Sequence, residues 1–176
     1  MSPKRILAAA VLAPFLAVPS FAQTPTPPAN PMDNVPEKMP FDVPYGAPIS
    51  LDRAQSLVSA AVAEAKKRDW KLNVAVVDSG GNLVAFARMD GAQLASISIS
   101  EHKARTAVKY RRETKAFEAG IQQNNLHYLL TLDDVIASRG GIPLIEDGKM
   151  IGAIGCSGGT GSQDEVACKA GAAALK

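Results

Sequence analysis

The fold is set by Ile142-Pro143-Leu144-Ile145-Glu146-Asp147-Gly148-Lys149-Met150-Ile151-Gly152-Ala153-Ile154. Two apolar runs flank a polar connection, and its Asp147-Gly148 pair suits a tight turn with positive φ. That pattern predicts a β-hairpin. Toward the N-terminus, Leu72 to Val77 and Leu83 to Met89 repeat it around Asp78-Ser79-Gly80-Gly81-Asn82. Asp78 there is read as fixing the turn through its short carboxylate rather than as an acid–base group.

Helical spacing surrounds the two hairpins. Ser50 can cap a helix over Leu51 to Arg68, where Leu51, Ala54, Leu57, Val58, Ala61 and Ala65 recur on one face. A second helix is predicted from Ile97 to about Tyr110, with Ser98 and Glu101 at capping-box spacing. A less regular segment, Arg111 to Arg139, follows. Ser162 and Glu165 share the same spacing and would open a small-residue helix to Leu175. The order α-β-β-α-(α)-β-β-α joins its strands by hairpins. This implies an α/β (α+β) domain with a mainly antiparallel sheet and helices packed on it.

The first residues suggest a compartment. Lys4 and Arg5 precede an apolar run, Ile6 to Val18, broken only by Pro14, and Ser20-Phe21-Ala22 supplies small residues for cleavage. This is the pattern of a secretory signal over residues 1–22, with Gln23 as the expected mature N-terminus and a periplasmic or secreted destination. The run is shorter than the about 20 residues a spanning helix needs, so no stable membrane insertion is expected after cleavage. Residues 23–48 hold eight prolines and read as a Pro-rich arm or linker, with Met39, Phe41, Val43 and Tyr45 able to dock. Residues 49–176 form the domain.

Charge excludes one class of partner. The chain has 19 basic and 17 acidic side chains, and removing Lys4 and Arg5 leaves 17 of each. A neutral domain has no global field to hold nucleic acid. Cys156 and Cys168, twelve residues apart, can form a disulfide in an oxidising compartment, or Cys156 can stay a small structural residue or a reactive thiol. No CxxC or CxxCH run points to zinc, thioredoxin-type chemistry or covalent haem.

The middle helix carries the functional interest. At 100° per residue, Ile97, Ala104 and Val108 share a stripe that should face the sheet, while Ile99, His102, Thr106 and Tyr110 lie roughly opposite. A helix apolar on two sides has something besides its own sheet to cover, either a ligand or another subunit. His102 can donate, accept or ligate a metal; His127 is the chain's other histidine. Lys103 to Lys115 holds six basic residues against Glu113 alone. Such a run is either a solvated face or, through Arg105, Lys109 and Arg112, a carboxylate or phosphate site. The Gly155 to Gly161 stretch reads as a loop whose N–H groups can meet an anion, or as a plain connection.

Several separated segments resemble one family. Val74-Ala75-Val76-Val77-Asp78-Ser79-Gly80-Gly81-Asn82-Leu83, Arg88-Met89-Asp90-Gly91-Ala92, Lys103-Ala104-Arg105-Thr106-Ala107, Arg139-Gly140-Gly141-Ile142-Pro143-Leu144, and Gly158-Gly159 through Gln163-Asp164 are similar to the GlcG/HbpS-like haem-binding family. The resemblance spans roughly Ser50 to Leu175. It implies a profilin-like three-layer domain with a five-stranded, mainly antiparallel sheet, assembled as a homo-oligomer, often an octamer. It also implies a link to haem, since some secreted members bind haem and are tied to its degradation or to redox sensing. The same domain closes a cobalamin adenosyltransferase and occurs beside glycolate-oxidation genes. In the secreted haem-binding member a threonine near the end of the middle helix is the proposed axial ligand, which the resemblance carries to Thr114. Here His102 replaces that member's arginine, and imidazole is the stronger iron ligand. Glu113 stands where relatives often have proline.

The leading expectation is an exported, non-covalent haem-binding protein for storage, scavenging or sensing, with haem degradation as the activity the resemblance would add. Its cofactor-binding set is His102, Arg105, Thr106, Lys109, Tyr110, Arg112 and Thr114, with His102 or Thr114 contacting the iron. The alternatives are an enzyme or accessory subunit acting on a small carboxylate or cofactor, and a structural oligomerisation module.

Overall fold

A computed structural model describes residues 35–175. The predicted signal segment and residues 23–34 of the Pro-rich arm lie outside these described residues. Among the described residues, no helix is long and apolar enough to cross a membrane.

The elements follow the predicted order: α1 (Leu51–Lys67), β1 (Asn73–Asp78), β2 (Leu83–Arg88), α2 (Ala95–Lys109), α3 (Lys115–Asn124), a 3-10 turn (His127–Thr131), β3 (Gly141–Glu146), β4 (Lys149–Ser157) and α4 (Gly161–Ala172). The hairpins form as read. Asp147 and Gly148 take φ of 48° and 72° between β3 and β4, the backbone that an Asp-Gly turn favours. Asp78 Oδ1 accepts from the N–H groups of Gly80 (2.8 Å) and Asn82 (2.9 Å), so it fixes the first turn. Burial opposes its charge, yet these N–H donors hold the carboxyl below its usual range.

All pairings are antiparallel and the strand order is β2-β1-β4-β3. The sheet therefore has four strands, not the five expected. Tyr45 adds one parallel bridge to Met150, through Gly46 N–H to Met150 O and Met150 N–H to Pro44 O, both 2.8 Å. Pro44 and Pro48 lack the donors that would extend it into a strand. Part of the predicted arm, residues 43–48, thus lies on the chain's own domain.

The sheet is covered on both faces. Val74, Val76, Ile142, Leu144, Ile154 and Cys156 pack with α1 and α4 on one side, while Val77, Met150 and Ala153 pack with Ala104, Ala107 and Val108 of α2 on the other. Cys156 and Cys168 form a disulfide between β4 and α4, with Cα atoms 5.6 Å apart. Two expected caps moved. The α4 capping box is Thr160 with Gln163, not Ser162 with Glu165, because β4 runs on through Ser157 and leaves only a short connection. α2 starts at Ala95 without the Ser98 cap; Ser98 donates to Ala95 O instead.

How α2 lies on the sheet depends on two glycines. Gly141 of β3 and Gly155 of β4 are directly paired. A Cβ on Gly155 would sit 2.1 Å from Ser100 O, and one on Gly141 would sit 2.3 Å from Lys103 O. The helix backbone rests on strand backbone, a distance only glycine permits. Gly155→Ala should therefore cost about 2 kcal/mol or more, at the upper part of the overpacking range, measured as a lower midpoint in urea unfolding.

Candidate functional site

Each of the six cations from Lys103 to Lys115 is engaged within the chain, Lys103 in the interior and Lys109 and Lys115 on the exposed surface. Lys103 Nζ donates to Asp164 Oδ2 at 2.8 Å, with both side chains almost fully buried. Arg105 meets Glu101 at 3.4 Å. Lys109 pairs with Asp134. Arg111 donates to Val43 O at 3.2 Å and lies over the Tyr45 ring. Arg112 places its guanidinium 3.6 Å from the centre of the Phe41 ring and 5.0 Å from that of Phe117, and Nε donates to Tyr110 O. Burial pushes the Arg112 guanidinium below its usual pKa. Lys115 donates to Glu165 Oε1 at 3.2 Å.

The two-sided character of α2 is present, with one correction. Ala104 and Val108 are fully buried on the sheet, but Ile97 is only half-buried. On the outer side Thr106 is fully buried and Ile99, His102 and Tyr110 half-buried. Thr106 and Tyr110 are bonded to the chain's own segment around residues 133–136. Thr106 Oγ1 donates to Asp134 O (2.6 Å) and accepts from Ile136 N–H (3.0 Å), while Tyr110 OH donates to Asp133 O (2.6 Å). The Asp134 carboxyl is held below its usual range by the Lys109 hydrogen bond first, against the effect of burial, with Arg105 and His102 adding positive potential.

Beneath this segment one group is unmatched. The Nε2 atom of His102 is shielded from solvent and has no hydrogen-bond partner among the described residues. A buried polar nitrogen without a partner is costly and calls for an explanation, such as an unfilled role toward a ligand. His127, by contrast, is exposed at the start of the 3-10 turn.

The structure does not bring all of the expected binding residues together. Thr106, Lys109 and Tyr110 bond to the Asp133–Ile136 segment, and His102 and Arg105 lie within electrostatic reach of Asp134. Arg112 lies beyond the end of α2, beside Phe117, whose ring Tyr110 meets edge-on at 5.2 Å. Thr114 is fully buried elsewhere, at the α3 corner. Its N–H donates to Gly141 O (3.1 Å) and its Oγ1 accepts from Gly141 N–H (2.9 Å), which ties the corner to β3.

The glycine-rich stretch also changes. Gly155, Cys156 and Ser157 belong to β4, so the loop is only Gly158–Thr160. Its N–H groups serve the chain itself: Gly159 donates to Asp164 Oδ1 (3.0 Å) and Thr160 to Gln163 Oε1 (2.8 Å).

The Lys103–Asp164 pair is the element that sequence reasoning missed. Lys103 borders the apolar stripe of α2 and reads as part of a solvated run. The available signal is Gly140, whose φ is 116° and where a Cβ would fall 2.9 Å from Asp164 Cβ and 3.2 Å from Lys103 Nζ. Removing one partner leaves a buried charge. Lys103→Met should cost about 3–5 kcal/mol, while Lys103→Met with Asp164→Leu should cost less than the sum of the two single changes. A urea-unfolding double-mutant cycle measures this.

Known proteins with this arrangement narrow the family. Protein GlcG of Escherichia coli K12 is 40% identical over 109 residues, covering 62% of this chain and 81% of GlcG. The crystal structure of a double mutant of Streptomyces reticuli HbpS is 30% identical, covers 81% of this chain and 97% of that one, and superposes with a TM-score of 0.69. The crystal structure of a PduOC–haem complex is 28% identical, covers 74% and 96% of the two chains, and gives a TM-score of 0.67. The family described as "Haem degrading protein HbpS-like" matches residues 49–173, and this chain belongs to it.

Proposed function

We propose that this chain is an exported haem-binding protein that holds haem non-covalently at the outer side of α2. The observation that carries the reading is the partnerless, shielded Nε2 of His102. Neutral imidazole is a strong iron ligand, and His102 is the residue of this site best suited to that contact. Arg105 and Lys109, now paired with Glu101 and Asp134, are the cations that haem carboxylates would take over. Ile99 and Tyr110 supply apolar surface for the ring. A relative of this fold has been crystallised with haem, which supports the reading.

Binding requires the segment around Asp133–Ile136 to move, because its hydrogen bonds to Thr106 and Tyr110 and the Lys109 ion pair hold it over the site. These holds are few and polar, and several are exposed, so the cover is locally releasable. Thr114, the ligand implied by resemblance, is the second candidate; its hydroxyl already accepts from Gly141. When bound, haem would supply an iron centre for storage, sensing or redox chemistry.

Titrating hemin into wild type, His102→Ala and Thr114→Val should give a saturable Soret shift in wild type. In His102→Ala the band should move and the affinity should fall by about tenfold or more. No saturable shift in wild type removes the haem reading. A spectrum unchanged by His102→Ala removes only the ligand assignment. Export is tested separately, by N-terminal sequencing of the protein recovered after osmotic shock. The expected first residue is Gln23, and recovery of an intact Met1 chain in the cytoplasm would overturn the export proposal.

A further inference from the structure

Across the sheet from α2, the end of α1 and the end of β2 border an open cavity of about 360 Å³. This volume lies within the range of sites that hold small organic ligands. Its apolar lining comes from Val62 of α1, from Trp70, and from Ala87 and Met89. Trp70 presents a broad flat ring and Met89 a flexible thioether, surfaces that suit another ring. Nothing described so far uses this cavity.

Its rim carries three cations, Lys66, Lys71 and Arg88, against two acids, Asp69 and Asp90. Lys66, one helical turn after Val62 on the same side of α1, also lines the cavity, as does Lys71. Lys66 enters no ion pair among the described residues. Lys71 reaches only Asp69, at 4.0 Å, and the Asp69 side chain is 94% exposed. Nearby cations are satisfied in other ways: Lys67 and Arg68 pair with Glu64, and Arg68 also covers the Trp70 ring at 5.1 Å. Asp69 and Asp90 are the acids at the rim, and the negative end of α1 points the same way, so a bare anion gains little there. An anion with an apolar body gains from both parts of the site.

We propose that this cavity binds a small aromatic monocarboxylate, with its ring against Trp70, Met89 and Val62 and its carboxylate between Lys66 and Lys71. The site lies on the opposite face of the sheet from His102 and stands independently of haem.

Trp70 is the chain's single tryptophan, so its emission reports on this cavity alone. Phenylpropionate added to the full chain should change that emission saturably, with a matching calorimetric heat. The neutral isostere phenylpropanamide should bind at least about tenfold more weakly. Lys66→Gln with Lys71→Gln should weaken phenylpropionate by a similar factor while leaving the melting temperature unchanged, since both side chains are exposed. No saturable heat in wild type, equal affinity for acid and amide, or a folded double variant that binds as wild type would each overturn the proposal. Should the double variant melt early, the acid–amide comparison on wild type decides alone.

Discussion

The contact between the backbone of α2 and the Gly141–Gly155 pair sets the rest of this structure. Because the helix meets bare strand backbone at this pair, residues at its margin are drawn inside the fold. Lys103 is the clearest case. Its carbonyl would meet any Cβ on Gly141, and its side chain passes Gly140 to reach Asp164 near the start of α4. A buried ion pair adds little net stability when compared with well-packed apolar residues. It does fix one arrangement, because a charge without its partner there is costly. The same closeness places Thr114 against Gly141, so the α2–α3 corner, β3 and α4 are all registered against one short stretch of strand.

The charge pattern follows from that geometry. A run with six cations would ordinarily project into water, but here the chain turns sharply after α2, with Arg111 at φ 54°. The run therefore spreads over several surroundings: the interior, its own helix at Glu101, the Asp134 segment, the Phe41–Tyr45 arm and Glu165 of α4. Most of these pairs are exposed and individually worth little. Their collective effect is steric, since they hold local segments over the outer side of α2. The outer side of the helix is thus partly covered by the chain itself.

Much of the fold was legible in the sequence. Hairpin chemistry at Asp78–Asn82 and Asp147-Gly148, together with the apolar spacing of α1 and α2, is local and reports itself. Long-range placement is not. Whether Thr106 is covered depends on residues 133–136, almost thirty positions away, and no periodicity encodes that. Thr114 stood in the resemblance as an iron contact, but its burial comes from a pairing with Gly141 that spacing does not reveal. The moved α4 cap has a simple cause: a strand continuing through Gly155 and Cys156 looks, by composition, like a glycine-rich loop. The Trp70 cavity was equally hidden, because it joins the end of one element to the end of another and neither has an unusual sequence.

The covalent link between Cys156 and Cys168 has a further implication. It bridges the central strand to α4, near the start of which Asp164 receives Lys103. With its thiols reduced, the chain would still have every apolar contact, but α4 would be held without a covalent tie, by packing, the buried Lys103–Asp164 pair and the more exposed pairs of Glu165 and Lys169. Newly made chains in reducing surroundings would thus begin with a looser C-terminal helix, and maturation would be completed by oxidation. The same sequence would have two rigidities, set by the compartment in which it is found.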